Sequence, residues 1–408
     1  YLPRPHYDLN GLNPQYFPKA NLPFEEAFDK LTLRAGWEPE DDYLLLDGYS
    51  GGSHGHEDCN AIIGYTAAGA HWLVDGEYIR LTPKYHCMLT VIRDGVAVRN
   101  PAIARLDDAV WFGDGAICRT TIPDYNGVRW TRHLFWQPNR FTAVLDELVA
   151  LTAGDYALRC CWRTYGDPLL EGSGLALRQE QARFALLNLS GEAPELVYQK
   201  DVGNWPVHHL YQRRSQSLAA GERVVFANVF GAWRSGERPF SARWVGTDRV
   251  VVELEGETLV LGLGGLEAPG LTADAAAWML RAADLRLASA KRLVQSGRET
   301  WSDSRPKALR AAGATLIAAE SQPTPAPGQR PLSCVAAGPA AGTPYGDQLA
   351  ALSAGPARAA SPGPVRSPAA GADPHLAWSF QDFPRPAEPL RPVRVTTDPE
   401  PRSAYSPR

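Results

Sequence analysis

The sequence predicts an all-β protein built on a large antiparallel β-sandwich. Between residues 30 and 318, short runs of β-branched, aromatic and other apolar residues alternate with turn residues. Two-residue turns of the Asp-Gly type separate several of these runs, as they do in β-hairpins. Helical periodicity is weak through most of the region. Many short strands joined by tight turns are typical of an antiparallel sandwich.

The clearest hairpin is centred on Asp94-Gly95. It joins residues 90–93 to residues 96–98, and its glycine supplies the positive φ that such a turn needs. Asp114-Gly115 lies in a similar setting. The other runs predicted as strands are 141–145, 223–226, 249–254 and 258–263.

Residues 272–293 leave two alternatives open. Their content of Ala, Leu, Arg and Lys favours a helix by propensity. The alternative is a pair of strands, residues 277–280 and 285–287, joined by Ala282-Ala283-Asp284.

The two ends of the chain differ from its centre in composition. Residues 1–29 are rich in proline and asparagine, and we interpret them as a linker or remnant before a sandwich domain at residues 30–318. The chain opens without methionine or a signal-peptide pattern, which indicates a processed or truncated piece. Residues 319–408 hold more than half of the 34 prolines, so they are predicted to be a disordered tail.

Charge and hydropathy argue against two classes of partner. The formal net charge is -4, from 41 basic and 45 acidic side chains, which gives no basic footprint for nucleic acid. No stretch approaches the roughly 20 apolar residues of a membrane span. The six cysteines contain no Cys-x-x-Cys pair of the kind found in zinc ribbons, and they do not fix the redox compartment. A partner must be inferred from a site.

The densest histidine cluster is the segment 51–58, which reads Gly-Gly-Ser-His-Gly-His-Glu-Asp. Alternate residues of an extended segment point to the same side, so His54, His56 and Asp58 can share one face. Asp75 follows the next apolar run, and His86 precedes the Asp94-Gly95 hairpin.

In a meander these strand ends can converge. His56, Asp75 and His86 would then offer two imidazoles and a carboxylate, the usual nitrogen and oxygen ligands of zinc or a similar divalent ion. The alternative is that His56 and His86 are ordinary hydrogen-bonded histidines at strand ends. Three such groups beside segment 51–58 favour a metal site.

This combination resembles the C-terminal β-sandwich of the heparinase II/III-like polysaccharide lyases. The resemblance rests on segment 51–58, the Leu-Val-Asp ending at Asp75, and Tyr85-His86 before a strand, and it extends over about residues 30–293. It favours the strand alternative for residues 272–293. It also implies a fold in which an N-terminal α/α toroid precedes the sandwich.

The resemblance implies an activity and a role for each residue. Members of the family cleave uronic-acid-containing polysaccharides by β-elimination. His54 matches the histidine that faces the substrate and helps in proton transfer or carboxylate recognition. His56, Asp75 and His86 match the ligands of a structural divalent ion, for which zinc is the expected metal. Asp58 is expected to hold one of these imidazoles in place by accepting its other N–H.

Enzymatic activity of this chain stays uncertain, because the family's catalytic tyrosine and asparagine come from the toroid. No helical array is predicted before residue 30, so lyase activity is expected only when a toroid is supplied. Heparan-type glycosaminoglycans, alginate and other acidic polysaccharides are all open as substrates, and Trp205 is a candidate for a sugar contact. A polymer substrate implies a periplasmic or extracellular location.

Two other functions are compatible with the sequence. The first is a non-catalytic carbohydrate-binding or structural sandwich. The second follows from His54-x-His56-x-Asp58, which begins like the H-x-H-x-D-H signature of metallo-β-lactamase-type zinc hydrolases. In that signature a histidine follows the aspartate, whereas here Cys59 does. Those hydrolases also alternate strands with long helices, which this sequence does not predict.

Overall fold

The computed structural model describes a protein made almost wholly of antiparallel strands. It describes residues 21–23, 26–50, 56–76, 81–171, 174–191, 194–200, 206–282, 284–312, 315–320, 335–339, 345–355 and 395–397. The strands in the first half are β1 (Lys30–Arg34), β2 (Tyr43–Asp47), β3 (Ile62–Ala67), β4 (Ala70–Val74), β5 (Leu89–Arg93), β6 (Val96–Ala97), β7 (Arg105–Trp111), β8 (Ala116–Tyr125), β9 (Val128–Gln137), β10 (Phe141–Ala150), β11 (Gly154–Tyr165), β12 (Asp167–Glu171), β13 (Gly174–Gln179) and β14 (Ala182–Asn188).

The second half continues with β15 (Pro194–Lys200), β16 (Pro206–Leu218), β17 (Arg223–Trp233), β18 (Phe240–Val245), β19 (Arg249–Leu254), β20 (Glu257–Leu263), β21 (Leu266–Ala268), β22 (Leu271–Asp274), β23 (Ala277–Arg281), β24 (Asp284–Gln295), β25 (Arg298–Ala312), β26 (Thr315–Glu320), β27 (Val335–Pro339) and β28 (Val395–Thr397). A 3-10 helix spans Pro83–Tyr85, and an α-helix, α1, spans Gly346–Ser353. The all-β prediction is confirmed.

These strands form three sheets. The front sheet has the order β1-β2-β3-β4-β11-β16-β15-β28, with β5 also paired to β11 and β6 to β5. The middle sheet has the order β12-β13-β14-β17-β10-β9-β8-β7. The back sheet has the order β18-β19-β20-β23-β24-β25-β26-β27, with β22 on β24 and β21 on β22. All described pairings are antiparallel except that of β28 with β15.

The middle sheet packs on both of its faces. Alternate residues of a strand point to opposite faces, and β10 shows this directly. Val144 and Leu148 belong to the core shared with the front sheet, whereas Phe141 and Leu145 belong to the core shared with the back sheet. The protein therefore has three layers rather than the two of a simple sandwich.

The predicted hairpins are present. Arg93 pairs with Val96 across Asp94-Gly95, whose φ angles are 50° and 82°. Both angles are positive, as a type I′ turn requires. Trp111 also pairs with Ala116, but the Phe112 N–H donates to the Gly115 carbonyl and the positive φ, 97°, belongs to Gly113. This second hairpin therefore turns at Gly113-Asp114, one residue before the predicted Asp114-Gly115.

Residues 272–293 form strands rather than a helix. β23 pairs with β24 in the register Met279 to Arg286, close to the bounds of the predicted strand pair. Burial of apolar side chains in the sheet outweighs helix propensity here. The buried residues of the two strands are Trp278, Leu280, Leu285 and Leu287.

Residues 345–355 fall inside the segment predicted as a disordered tail, but they pack on the back sheet. Tyr345 and Leu352 are buried in the core on the outer face of that sheet. The Tyr345 hydroxyl accepts a hydrogen bond from Gln295 at 2.7 Å, and the Leu352 carbonyl accepts one from Arg249 at 3.2 Å. The residues of the predicted tail at 321–334, 340–344, 356–394 and 398–408 lie outside the described part of the chain.

Candidate metal centre

The candidate site lies at one end of the front sheet, where three connections meet. Residues 56–61 lead into β3, Asp75 directly follows β4, and His86 follows the 3-10 helix and precedes β5. An isolated β-bridge between Ile62 and Cys87 joins the first of these segments to the third. The antiparallel order of β2, β3 and β4 thus brings together residues that are up to 30 positions apart.

Four side chains converge at this end. His56, Asp58, Asp75 and His86 each offer one ligand atom, and these atoms all lie within 4.8 Å of one another. His86 and Asp58 are buried, whereas His56 and Asp75 are half-buried. The site is therefore anchored in the core on one side and accessible on the other.

The orientation of His86 is set by backbone groups. Its Nδ1 lies 3.3 Å from the Gly76 N–H, which can donate to it, and its Nε2 lies 3.4 Å from the Leu81 carbonyl, which can accept from it. The contact with Leu81 requires a proton on Nε2, whereas Nδ1 shares a proton with the nearer Asp75 carboxylate and would give it up to bind an ion. Asp75 Oδ1 is 2.6 Å from the same Nδ1. Arg163 donates to the backbone carbonyl of Asp75 and so helps to fix this carboxylate.

The surroundings carry an excess of carboxyl groups. Burial, followed by repulsion from Asp47, raises the pKa of Asp58 well above its usual value. Burial also raises the pKa of Asp47 to about 7, although Lys30 lies 2.8 Å away and favours its ionised form. Burial opposes protonation of His86, but attraction and hydrogen bonding to Asp75, together with attraction to Asp58, outweigh it and raise the pKa of the imidazole. A cation at the centre of these groups would relieve their mutual repulsion.

The donor set fits a borderline-soft divalent ion. Two imidazoles and two carboxylates are common ligands of zinc, with bond lengths of about 2.0–2.2 Å. Two atoms bound to one tetrahedral zinc therefore lie about 3.3–3.6 Å apart. The separations of up to 4.8 Å in the cluster need an inward movement of about 1 Å.

The predicted site residues have different outcomes. His56, Asp75 and His86 lie together, and their role as metal ligands stays a prediction. Asp58, expected to support an imidazole, lies among the potential ligand atoms themselves. His54 and Trp205 lie outside the described residues, so their predicted roles stay predictions.

Two tyrosines, Tyr78 and Tyr85, lie near the motif in sequence. Tyr85 is described, and its ring makes an edge contact with His209 at 5.7 Å between centroids. Tyr78 lies outside the described residues.

Two arginines beside the site were not predicted as functional. Arg163 contacts Asp75 as described above, and Arg132 donates to the carbonyls of Asn60 and Cys87. The sequence does contain a sign of the role of Arg132. In the strand β9, Arg132 lies on the same side as Trp130 and Leu134, and that side faces the core. A charged residue at an inward position needs a specific partner.

The hydrolase alternative finds little support in this geometry. Cys59 stands where the signature has a histidine, and its buried thiol lies 3.3 Å from the Gly48 carbonyl, to which it can donate. The described residues include a single α-helix, of eight residues, rather than long helices alternating with strands.

In the same part of the chain, no helix is long and apolar enough to span a membrane.

Comparison with known proteins gives likeness of fold alone. No family model matches the sequence, and no curated protein matches it. Among solved structures, heparan sulfate lyase HepC from Pedobacter heparinus is similar with a TM-score of 0.46 and 15% identity, over 60% of this chain and 42% of that chain. A structure of heparinase III is similar with a TM-score of 0.47 and 14% identity, over 58% of this chain and 41% of that chain. This chain thus spans less than half the length of either.

Proposed function

We propose that this chain is the metal-binding β-sandwich part of a polysaccharide lyase that acts on uronic-acid-containing polymers. The observation that carries the proposal is the convergence of His56, Asp75 and His86, with Asp58, within 4.8 Å. These residues belong to the same motif that resembles the heparinase II/III-like lyases. The motif and the geometry are separate lines of support, because spacing in sequence does not by itself bring side chains together.

The ion is proposed to have a structural role. It would be held by His56, Asp75 and His86, which come from three different connections, and it would supply a fixed link between the ends of the front sheet. Asp58 would support one of the imidazoles by accepting its other N–H, rather than bind the ion itself. The segment that contains His54 directly precedes His56, so fixing His56 also limits where His54 can lie.

The chemistry of β-elimination explains why such a site would matter. The base must remove a proton from the carbon next to a carboxylate, and the developing negative charge must be neutralised. His54 is proposed to face the sugar at this step. Neutralisation and protonation of the leaving group are proposed to come from a helical toroid, as in the lyases that the motif resembles.

Metal analysis tests the first half of the proposal. Purified protein should contain about one equivalent of zinc after loading and dialysis, and zinc should raise its melting temperature. His86→Ala and Asp75→Asn should lose both effects. His71→Ala is the matched control, since His71 is exposed on β4 and outside the cluster, and it should keep both. Wild-type protein that retains no metal would overturn the site.

An elimination assay tests the second half. With the toroid present in the same protein, uronate polymers such as heparan sulfate and alginate should yield products with the ultraviolet absorbance of a new C4–C5 double bond. His54→Ala should abolish this signal, whereas His71→Ala should not. Binding of polymer without unsaturated product would instead support a non-catalytic sugar-binding sandwich. Hydrolysis of esters or lactams without unsaturated product would support the zinc hydrolase.

A further inference from the structure

A buried ion pair lies in the core between the front and middle sheets. Arg132 on β9 is directly opposite Asp146 on β10 in the sheet register. Its Nε donates to Asp146 Oδ1 at 2.8 Å and its Nη2 to Oδ2 at 3.0 Å, and both side chains are fully buried. The Trp130 indole N–H also donates to Oδ1, at 2.8 Å. The carboxylate thus accepts three hydrogen bonds.

Stability alone is a weak reason for such a pair in this core. Taking two charges out of water is costly, and well-packed apolar residues of similar volume often stabilise a protein equally well or better. Trp130 and Leu134 occupy the same inward phase of β9. An apolar residue at position 132 would therefore fit this side of the strand. The presence of an arginine is better explained by the hydrogen bonds that its guanidinium makes.

The remaining amino group of Arg132 reaches into the front sheet. Its Nη1 donates to the Asn60 carbonyl at 2.7 Å and to the Cys87 carbonyl at 3.0 Å. Asn60 is two residues after Asp58, and Cys87 directly follows His86. One nitrogen therefore joins the two backbone segments that carry these two site residues.

Further hydrogen bonds hold both segments at this junction. The Cys87 carbonyl also accepts from the Ile62 N–H at 3.1 Å, and the Asn60 N–H donates to the Asp47 carbonyl at 2.7 Å. The Asn60 side chain accepts from the Thr120 hydroxyl, on the middle sheet, at 2.6 Å. Asn60 itself has a φ of 68°, so its carbonyl direction depends on a turn that few residue types adopt readily.

We propose that Arg132 is a positioning residue for the metal centre, held in its working orientation by Asp146. It sets the separation between the Asp58 segment and the His86 segment, although it touches neither side chain in the cluster. This inference rests on the proposed function for its metal, and on the hydrogen bonds above for its mechanical part. The two can be tested separately.

The mechanical part is tested by hydrogen exchange on metal-free protein. Arg132→Met should speed amide exchange in residues 56–62 and 84–89 by about tenfold or more, because charged hydrogen bonds to both segments are lost. Arg286→Met is the matched control: Arg286 is a buried arginine that pairs with Asp284 in the back sheet. It should not change exchange in these two segments. Equal effects of the two variants would overturn the proposal.

The metal part is tested by affinity. Zinc binding, measured by competition with a chromophoric chelator, should weaken about 10–100-fold in Arg132→Met and stay unchanged in Arg286→Met. Arg132→Lys covers the case in which Arg132→Met does not fold. Lysine keeps a positive charge but lacks the planar fork, so it should also weaken zinc binding. Wild-type affinity in both position-132 variants would refute the positioning role.

The two failures are distinguishable. If wild-type protein binds no zinc, the proposed metal centre fails, and hydrogen exchange alone decides the mechanical role of Arg132. If wild-type protein binds zinc and both variants bind it equally well, the metal centre stands and the positioning role fails.

Discussion

Asp42 and Asn139 bind each other reciprocally across two sheets. The Asp42 N–H donates to Asn139 Oδ1 at 2.8 Å, and the Asn139 N–H donates to Asp42 Oδ2 at 2.9 Å. Asp42 directly precedes β2 of the front sheet, and Asn139 occupies the turn between β9 and β10 of the middle sheet. This pair ties the two sheets together at the β9–β10 turn.

Asp42 should make stability depend on pH. Burial raises the pKa of its carboxyl to about 7, from an ordinary value of 3.8. Between these two values the folded protein holds a proton on Asp42 that the unfolded chain releases. The contribution of Asp42 to the free energy of unfolding is therefore fully present below about pH 4 and is lost as the pH rises to about 7. In Asp42→Asn this loss should be absent, a difference of up to about 4 kcal/mol in the free energy of unfolding.

Urea unfolding at several pH values between 4 and 8 measures this difference. Glu267→Gln, at an exposed carboxyl, is the control and should follow the wild-type curve. A wild-type and Asp42→Asn pair with parallel pH profiles would show that Asp42 is ionised throughout.

Removing Asp146 should be costly. Asp146→Ala leaves the Arg132 guanidinium buried without its carboxylate, which should lower the free energy of unfolding by about 3–5 kcal/mol. The double variant Asp146→Ala with Arg132→Met should recover much of this loss, because no uncompensated charge remains. Glu40→Ala breaks an exposed pair with Arg234 and should cost less than about 1 kcal/mol. Equal losses in the single and double variants would contradict the argument.

Gly262 should not tolerate a side chain. It pairs with Trp278, and a Cβ at position 262 would lie 2.1 Å from the indole ring. Gly262→Ala should therefore lower the free energy of unfolding by about 1–3 kcal/mol, through displacement of a buried tryptophan. Trp278→Leu in the same chain should relieve part of this strain. Gly265→Ala, whose Cβ would meet its nearest atom at 3.4 Å, is the control and should have little effect in thermal melts.

Asp58 should support the ion rather than bind it directly. Asp58→Asn is expected to weaken zinc binding about 10–100-fold without abolishing it. Cobalt-substituted protein should keep the same absorption spectrum in this variant, since the ligands of the ion are unchanged. A changed spectrum together with lost binding would show that Asp58 is a ligand.

Local features of this fold were predictable, and contacts between sheets were not. Asp94-Gly95 specifies its hairpin because the two residues accept positive φ with little strain. His56, Asp75 and His86 could be placed together because each lies at the end of a run in a meander. The contact of Arg132 with Asn60 depends on how two sheets stack, which no local pattern encodes.

The segment 345–355 was missed for a different reason. Its eight-residue helix is surrounded by proline-rich sequence. The composition of the whole region therefore predicted disorder, although this short segment packs on the back sheet. Tyr345 hydrogen-bonds to Gln295 on β24, which is 50 residues away in sequence. Such a contact depends on the folded back sheet, so local sequence does not predict it.

The double-sided packing of the middle sheet limits how the chain can be shortened. A protein ending at Trp233 would keep the candidate metal centre and, apart from the edge strand β28, both sheets around it. It would nevertheless expose Phe141, Leu145 and Val229 to water. Such a surface invites association with other chains. Recombinant production of the site therefore calls for residues through α1, and fragments cut after β17 should collect in the insoluble fraction.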